Sequence, residues 1–399
     1  MRDMDYLKKS VRDIDVKGKK VLLRCDFNVP QDADGAIADD KRIREALPTI
    51  RYLIDQGAAV IICSHLGRPG GERKMKFTLT PVASYLSELL GQHVMMAFDS
   101  VGNDAKRVCD AVKPGEVVML ENLRFNPGEE GNDPEFAFRL ASLADVYVLD
   151  AFGSAHRAHA SMVGVAKYIP AVCGLLIEKE LGVMGKAMVA PEHPFVAIMG
   201  GSKVHDKLGL LNSFIGKCDA ILVVGGMAYT FFKANGGEIG ESIYDGKSLE
   251  LVRGLYAEAE KKGTKIYLPV DTVIADKFSN DANYRVVPAG CIPAGFMGMD
   301  IGPKTVEEFA RLIHEAKTVV WNGPAGVFEM PNFAHGTEGI ARAVAESDAV
   351  SIIGGGDSAA AIEGLGLQDQ VTHVSTGGGA AIQFLEGAEL PGIAALLDK

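Results

Sequence analysis

Short, almost continuously apolar runs alternate along this chain with stretches of helical periodicity. In the first of these units, the run KKVLLRCDF is followed by ADDKRIREALPTIRYLIDQG and then by a second apolar run, AAVIICSH. The middle segment places Ile43, Leu47, Ile50 and Ile54 three and four residues apart, which indicates a helix. Alternating strands and helices are typical of βαβ units, and uninterrupted apolar strands are expected where helices cover both sheet faces. We therefore predict an α/β fold with doubly wound parallel, Rossmann-like sheets.

The length of the chain predicts two such domains, because 399 residues exceed the size at which one hydrophobic core usually keeps growing. The segment KYIPAVCGLLIEKELGVMGKAMVAPEHP predicts one long helix over about 174–188, since prolines stand before and after it. We predict an N-terminal domain over 1–172, a helical hinge over 173–189 and a second domain over 190–387.

The charge balance and the cysteines exclude several classes of protein. The net charge is −11, which disfavours binding to nucleic acid or to an anionic membrane surface. The six cysteines are scattered without a C-x-x-C pair, and the apolar runs are too short to span a bilayer. The N-terminus is charged and has no apolar leader segment. We expect a cytoplasmic protein that acts on small molecules.

In the first half, the apolar runs end in arginine, histidine and amide or carboxylate side chains. The runs are VLLRCDFNVP, IICSHLGRP, VVMLENLRF and the run before DAFGSAHRAHAS. Carboxyl ends of parallel strands meet at one sheet edge, where ligands bind. Guanidinium groups match phosphate and carboxylate oxygens. This half therefore predicts a site for a small phosphorylated acid, formed by Asp26, Asn28, Arg42, His65, Arg68, Arg124 and Arg157.

In the second half, the apolar runs end in glycine, as in VAIMGGSKVHDK, ILVVGGM, SIIGGGDS and HVSTGGGA. Glycine turns that lead into helices present backbone amides to phosphate groups. Lys203 and Lys207, four residues apart, are expected on one helical face. Asp357 is placed to cap a helix or to hold Mg²⁺ against phosphate oxygens. In WNGPAGVFE, Glu329 is placed to accept hydroxyl hydrogen bonds, as a ribose offers. This half predicts a nucleotide site.

Two other functions fit parts of the pattern. Gly354, Gly356 and Ala359 match the G-x-G-x-x-A fingerprint of a Rossmann-type NAD-dependent oxidoreductase. That fingerprint requires an acidic residue after the next strand, but VTHVS is followed by Thr376 and glycines, which weakens this alternative. A non-catalytic scaffold of the same fold is expected to lose charges such as Arg42 and Lys203, and both are present.

Taken in order, the motifs DFNVP, SHLGRP, ENLRF, DAFGSAHRAHAS, GGSKV, WNGPAGVFE, GGGDS and STGGGA resemble those of the phosphoglycerate kinase family, from about residue 7 to the end. The resemblance implies reversible, Mg²⁺-dependent phosphoryl transfer from 1,3-bisphosphoglycerate to ADP in glycolysis. It also implies a monomer whose two domains close on their substrates and whose tail, about 388–399, packs back onto the first domain.

The resemblance carries roles to particular residues. The phosphoglycerate site is the set of seven residues named above for the first half. The nucleotide site is expected at Gly201, Lys203, Lys207, Gly226, Gly298, Asn322, Glu329, Gly355, Gly356, Asp357 and Ser358. Arg42, Lys203, Gly356 and Gly379 are the expected catalytic residues, and Asp357 the metal ligand.

Overall fold

The computed structural model describes residues 7–399, which divide into two compact units. One unit contains the chain up to Gly185 together with Glu389–Lys399, and the other is Lys186–Ala388. The boundary falls within one helix, Leu175–Val189, close to the helix that the proline spacing predicts. None of the helices between residues 7 and 399 has the length and apolar character needed to cross a bilayer.

The first unit is built on a six-stranded sheet in which every pairing is parallel. Across the sheet the strands follow the order β3-β4-β2-β1-β5-β6. Their bounds are β1 Lys20–Arg24, β2 Ala59–Cys63, β3 Val94–Met96, β4 Val117–Met119, β5 Val146–Leu149 and β6 Ala171–Cys173. Because all strands run the same way, the segments that follow β1, β2, β4 and β5 emerge at one edge.

The helices of this unit cover the sheet and bury their apolar faces against it. They are α1 Lys41–Asp55, α2 Thr80–Leu90, α3 Asn103–Ala111, α4 Pro127–Glu130, α5 Pro134–Ala141 and α6 Leu175–Val189. On α1, Ile43, Leu47 and Ile50 are buried in the same core as Val60 and Ile62 of β2, as the periodicity predicts. This packing fixes the first turn of α1 above the carboxyl edge of the sheet.

The C-terminal segment of the chain lies in the first unit. The Gly392 amide donates to the Ala155 carbonyl at 2.9 Å, and the Leu397 amide donates to Ala171 at 3.0 Å. Lys9 in turn donates its amide to the Leu397 carbonyl at 2.8 Å. The short helix α14, Pro391–Ala394, thus supports the segment that follows β5.

The second unit also has a six-stranded parallel sheet, in the order β10-β8-β7-β15-β16-β17. Its strands are β7 Phe195–Met199, β8 Ala220–Val223, β10 Lys265–Tyr267, β15 Thr318–Asn322, β16 Val350–Gly354 and β17 His373–Val374. β7, β8 and β10 follow one another from the centre of the sheet to one edge, and β15, β16 and β17 follow one another from the centre to the other edge. The carboxyl ends of β7 and β15 therefore form the switch point at which such sheets bind ligands.

The helices of the second unit follow the predicted alternation. They are α7 Leu208–Phe214, α8 Met227–Ala234, α9 Leu249–Lys262, α10 Pro303–Glu315, α11 His335–Glu346, α12 Gly356–Gly364 and α13 Gly379–Leu385. Phe309, Trp321 and Ile340 are among the fully buried residues of this core.

The second unit also contains two small sheets that were not predicted from the sequence. The strands β11 Asp271–Ala275, β12 Tyr284–Pro288 and β14 Met297–Ile301 form an antiparallel sheet in the order β12-β11-β14. A second sheet pairs β9 Glu238–Ile239 with β13 Cys291–Ile292. A turn in which Asn283 donates to the Asp276 carboxylate at 2.8 Å joins β11 to β12. β12 is mostly exposed, so it lacks the continuous apolar run that marks a buried strand.

Candidate active site

The carboxyl edge of the first sheet carries all seven residues predicted for the phosphorylated acid. Asp26 and Asn28 follow β1, His65 and Arg68 follow β2, and Arg124 and Arg157 follow β4 and β5. Arg42 is the second residue of α1, the helix that leads away from β1. The βαβ topology brings them to one side of the sheet although they are spread over more than a hundred positions of the sequence.

Direct contacts join three of these residues, and Gly67 connects them to a fourth, Arg124. Arg42 Nη1 donates to Asp26 Oδ1 at 3.0 Å and to the Asn28 carbonyl at 3.2 Å. Asn28 Oδ1 accepts the Gly67 amide at 2.8 Å, and the Gly67 carbonyl accepts Arg124 Nη1 at 2.8 Å. The loop after β2 is therefore held between the segments that follow β1 and β4. The next residue of that loop is Arg68, whose side chain is exposed.

Asp26 is the acidic member of this cationic cluster. Its Oδ2 accepts the Ser154 hydroxyl at 3.2 Å, and its Oδ1 accepts the Asn28 amide at 3.2 Å as well as Arg42. Burial favours the neutral acid, but the charges of Arg42 and Arg24 and the hydrogen bond from the Asn28 amide oppose that effect, and the pKa of Asp26 lies below its usual value. Asp26 is thus a carboxylate that orients Arg42.

Three further residues of this edge were not predicted from the sequence. Arg24 is only 1% exposed and its Nη2 lies 3.1 Å from His65 Nδ1. Ser154 reaches Asp26 from the segment after β5. Glu129 is fully buried and accepts the Ser161 hydroxyl at 2.5 Å. An arginine inside the apolar strand VLLRC was the one available signal, because a charge within a buried strand requires partners.

In the second unit, five of the predicted nucleotide residues line one cleft of about 730 Å³ at the switch point. They are Gly201, Gly226, Gly298, Glu329 and Asp357. Apolar side chains, including Tyr229, Met297 and Met330, form another part of the same wall. Gly298 lies against the Tyr229 ring so closely that a Cβ at position 298 would overlap it. The cleft combines an apolar wall with carboxylates and backbone amides, as a nucleotide requires.

Lys207 lies beside this cleft, and its Nζ donates to the Asn322 side-chain oxygen at the end of β15. Burial lowers the pKa of Lys207, while the carboxylates of Asp357 and Asp206 oppose that change. The expectation that Lys203 and Lys207 share one helical face was wrong. Lys203 lies in the loop after β7, Lys207 ends a 3₁₀ turn over His205–Lys207, and α7 begins only at Leu208.

Two adjacent glycines form the turn from β16 into α12, and the second of them is exposed. Gly355 has φ of +88°, a conformation that favours glycine, and Gly356, the first residue of the helix, has no atom within 4 Å of the position that a Cβ would take. Gly379, the first residue of α13, has open space as well. The Ser358 hydroxyl is buried and accepts the Gly323 amide at 2.6 Å, so it ties α12 to the loop after β15.

The donor set fits a magnesium ion that is held mainly by a bound nucleotide. Asp357 is exposed in the first turn of α12, and its carboxylate lies near Lys207. No group of three or more metal-binding side chains occurs among residues 7–399. One carboxylate together with substrate phosphates is the usual protein site for Mg²⁺.

Comparisons with known proteins agree over nearly the whole chain. The family model described as phosphoglycerate kinase matches residues 11–388. A phosphoglycerate kinase of Clostridium botulinum (strain Okra / Type B1) is 54% identical over 399 residues, which are 99% of this chain and 100% of the relative. One from strain Hall is 53% identical with the same coverage.

Solved structures give the same result. A phosphoglycerate kinase from Coxiella burnetii superposes with a TM-score of 0.91 at 42% identity and covers 97% of this chain and 98% of its own. One from Pyrococcus horikoshii OT3 superposes with a TM-score of 0.80 at 35% identity and the same coverage. These matches give no support to the oxidoreductase alternative, and β17 is followed by Ser375 and Thr376 rather than by an acidic residue.

Proposed function

Because this chain belongs to the phosphoglycerate kinase family, we propose that it transfers a phosphoryl group reversibly from 1,3-bisphosphoglycerate to ADP, yielding 3-phosphoglycerate and ATP in glycolysis. The observation that carries the proposal is that each of the two parallel sheets has a candidate binding region at its carboxyl edge. A cationic cluster stands at the carboxyl edge of one parallel sheet, and an amide- and carboxylate-lined cleft stands at that of the other.

The first unit is the proposed phosphoglycerate-binding domain. Arg68, Arg124 and Arg157 supply guanidinium groups that pair with phosphate and carboxylate oxygens. Asn28 and His65 add neutral hydrogen-bonding groups, and Asp26 holds Arg42 in place. The cluster contains more cationic than anionic side chains, which suits a substrate that carries several negative charges.

The second unit is the proposed nucleotide-binding domain. The base packs against the apolar wall around Tyr229, and Glu329 accepts hydrogen bonds from the ribose hydroxyls. Lys207 and the backbone amides of Gly355 and Gly356 receive the phosphates. Asp357 holds Mg²⁺, which neutralises phosphate charge when it is bound.

In the direction of ATP consumption, a carboxylate oxygen of 3-phosphoglycerate forms a bond to the γ-phosphorus while the bond to the β-phosphate oxygen breaks and ADP leaves. Charge develops on the three equatorial oxygens of the transferred group. Arg42, Lys203 and the amides of Gly356 and Gly379 are the proposed donors that stabilise it. No covalent enzyme intermediate is required.

We further propose that α6 acts as a hinge and that the two units close when both substrates are bound, because in-line transfer requires the two ligands to meet. Closure also excludes water that would hydrolyse the acyl phosphate. Small-angle scattering should show a smaller radius of gyration for the doubly liganded protein than for the free protein. Sedimentation should show a monomer. A cytoplasmic location is part of the same proposal and is supported by the family's glycolytic role.

The two-site assignment is tested by calorimetry with each ligand alone. Arg68→Ala should abolish binding of 3-phosphoglycerate and leave binding of ADP intact, while Lys207→Ala should do the reverse. Arg73→Ala and Lys217→Ala are matched controls on neighbouring segments and should change neither affinity. Loss of both affinities in either site variant would contradict the assignment.

A further inference from the structure

A chain of four buried polar side chains lies behind the cationic cluster of the first unit. Glu129, Ser161, Arg24 and His65 come from four separate segments, and each is at most 2% exposed. Ser161 Oγ lies 2.5 Å from Glu129 Oε1, Arg24 Nε lies 2.9 Å from Ser161 Oγ, and Arg24 Nη2 lies 3.1 Å from His65 Nδ1. The chain ends at a residue of the proposed phosphoglycerate site.

The chemistry of the guanidinium group fixes the direction of the two hydrogen bonds that Arg24 makes in this chain. A guanidinium donates at all of its nitrogens and has no acceptor. His65 Nδ1 must therefore accept from Arg24, so it carries no proton. Ser161 Oγ must accept from Arg24 Nε. The Ser161 hydroxyl donates its own proton to Glu129 Oε1. A histidine whose Nδ1 is unprotonated is neutral and has its single N–H at Nε2.

We propose that Arg24 is a positioning residue that holds His65 as the neutral Nε2–H tautomer, so that His65 serves phosphoglycerate as a hydrogen-bond donor and not as a cation. The identification of phosphoglycerate as the ligand of His65 rests on the proposed function, whereas the assignment of the His65 tautomer does not. Ser161 accepts from Arg24 Nε and is itself bound to Glu129. These two residues therefore fix the orientation of the guanidinium plane relative to the His65 ring.

The charges that face His65 from the surrounding segments favour the same state. Arg24 at the end of β1, Arg124 after β4 and Arg157 after β5 all disfavour a positive ring, and Asp26 after β1 favours it. Burial is the largest effect, and together they lower the pKa of His65 well below its usual value. His159, which lies 3.9 Å from Glu129, also has its pKa lowered, to about 4. The positive charge of the site then comes from arginines alone and is constant through the physiological pH range.

The tautomer is tested directly in the wild-type protein. Nitrogen-15 NMR of histidine-labelled protein distinguishes protonated from unprotonated ring nitrogens, and loss of one signal pair in His65→Gln assigns His65 among the nine histidines. We expect Nδ1 of His65 to be unprotonated and Nε2 to be protonated from about pH 5.5 to about pH 8, a range that spans the ordinary histidine pKa of about 6.5. An Nδ1–H tautomer or a charged ring anywhere in that range would overturn the proposal.

The consequence for binding is tested by measuring KM for 3-phosphoglycerate as a function of pH and dividing the KM of each variant by that of the wild type. The effect of substrate ionisation on KM is the same in both proteins and cancels in this ratio. In Arg24→Met the ring loses its donor and one repelling cation, so His65 becomes protonated at low pH. We expect the ratio to rise about fivefold from about pH 5.5 to about pH 8, since a charged donor is stronger than a neutral one.

Two matched variants separate positioning from a general loss of structure. Arg24→Lys keeps a group that only donates, so its ratio should be independent of pH even where KM is higher. Ser161→Ala removes the contact behind Arg24 but leaves Nη2 facing His65, so its ratio should also be flat. A flat ratio in a folded Arg24→Met, or equal pH dependence in all three variants, would contradict the proposal. If the wild type has no turnover with 3-phosphoglycerate, the proposed function fails while the NMR result still decides the tautomer.

Discussion

Arg42 Nη1 and Asp26 Oδ1 lie 3.0 Å apart and join the first turn of α1 to the loop after β1. Asp26 is held ionised by the surrounding cations, so the contact is a charge-assisted hydrogen bond. The same nitrogen, Nη1, also donates to the Asn28 carbonyl. A guanidinium has five N–H groups, and these two hydrogen bonds use only those of Nη1. Arg42 is thus fixed in place by one nitrogen while it remains a cation at the carboxyl edge of the sheet.

Arg42→Ala should lower kcat by about 10³-fold, because an arginine that stabilises phosphoryl-transfer charge contributes on that order. The Kd for ADP should change by less than about twofold, since Arg42 lies in the other unit. Arg44→Ala is the control: Arg44 is two residues along the same helix and pairs with Asp40 at 2.6 Å. Steady-state kinetics measures kcat and calorimetry measures the Kd for ADP. If ADP affinity in Arg42→Ala falls by as large a factor as kcat, the domain assignment is wrong.

Asp357→Asn should weaken binding of ADP about tenfold in the presence of Mg²⁺, because the amide is a poorer ligand for a hard cation. In the presence of a chelator the variant should bind ADP at least as well as the wild type, since a negative charge near the phosphates has been removed. Calorimetry under both conditions measures the difference. Asp369→Asn, on the 3₁₀ turn after α12, should match the wild type in both. A loss that is equal with and without the metal would exclude Asp357 as its ligand.

Gly298→Ala should raise the KM for ADP and lower the free energy of unfolding by roughly 1–3 kcal/mol, the usual effect of overpacking. The added methyl group would overlap the Tyr229 ring, which lines the nucleotide cleft. Gly254→Ala in α9 is the control, because nothing lies within 4 Å of a Cβ there. That variant should be more stable by about 0.5–1 kcal/mol with unchanged KM. Urea denaturation and kinetics measure both, and an unaltered KM in Gly298→Ala would show that Tyr229 does not shape the nucleotide site.

Asp150→Asn should remove a pH dependence of stability. Asp150 Oδ1 accepts the amides of Leu176 and Ile177 at 3.0 and 3.2 Å at the start of α6, and burial raises the pKa of this carboxyl to about 7. The folded state therefore binds the proton more tightly than the unfolded state, where the pKa is about 3.8. The stabilisation is present below about pH 4 and is lost as the pH rises to about 7, by at most about 4 kcal/mol.

Asparagine keeps an oxygen at the position of Oδ1 and cannot ionise. The urea midpoint of Asp150→Asn should therefore fall less than that of the wild type between about pH 5 and about pH 8. Identical pH dependence in the two proteins would show that Asp150 does not titrate in this range.

The sequence predicted most of the fold because the fold is built from local patterns. The alternation of apolar runs with helical periodicity identified β1, α1 and β2, and the prolines around residues 170 and 191 placed α6. The antiparallel sheet was missed because β12 is exposed and has no apolar run. The helical placement of Lys203 failed because the glycine loop after β7 continues into a 3₁₀ turn before α7 begins.

The candidate site was predictable where function follows the end of a strand, as at Asp26, His65 and Asp357. It was not predictable where a side chain depends on partners distant in the sequence. Arg24 meets His65 from 41 positions away and Ser161 from 137 positions away. The burial of Arg24 and the direction of its hydrogen bonds appear only when these segments are brought together in the folded protein.

The central claim is tested most directly by ATP-dependent phosphorylation of 3-phosphoglycerate, coupled to glyceraldehyde-3-phosphate dehydrogenase and followed as loss of NADH, with and without Mg²⁺. We predict rapid turnover that requires 3-phosphoglycerate, ATP and the metal together. Absence of turnover in protein that binds both ligands would contradict phosphoryl transfer between them.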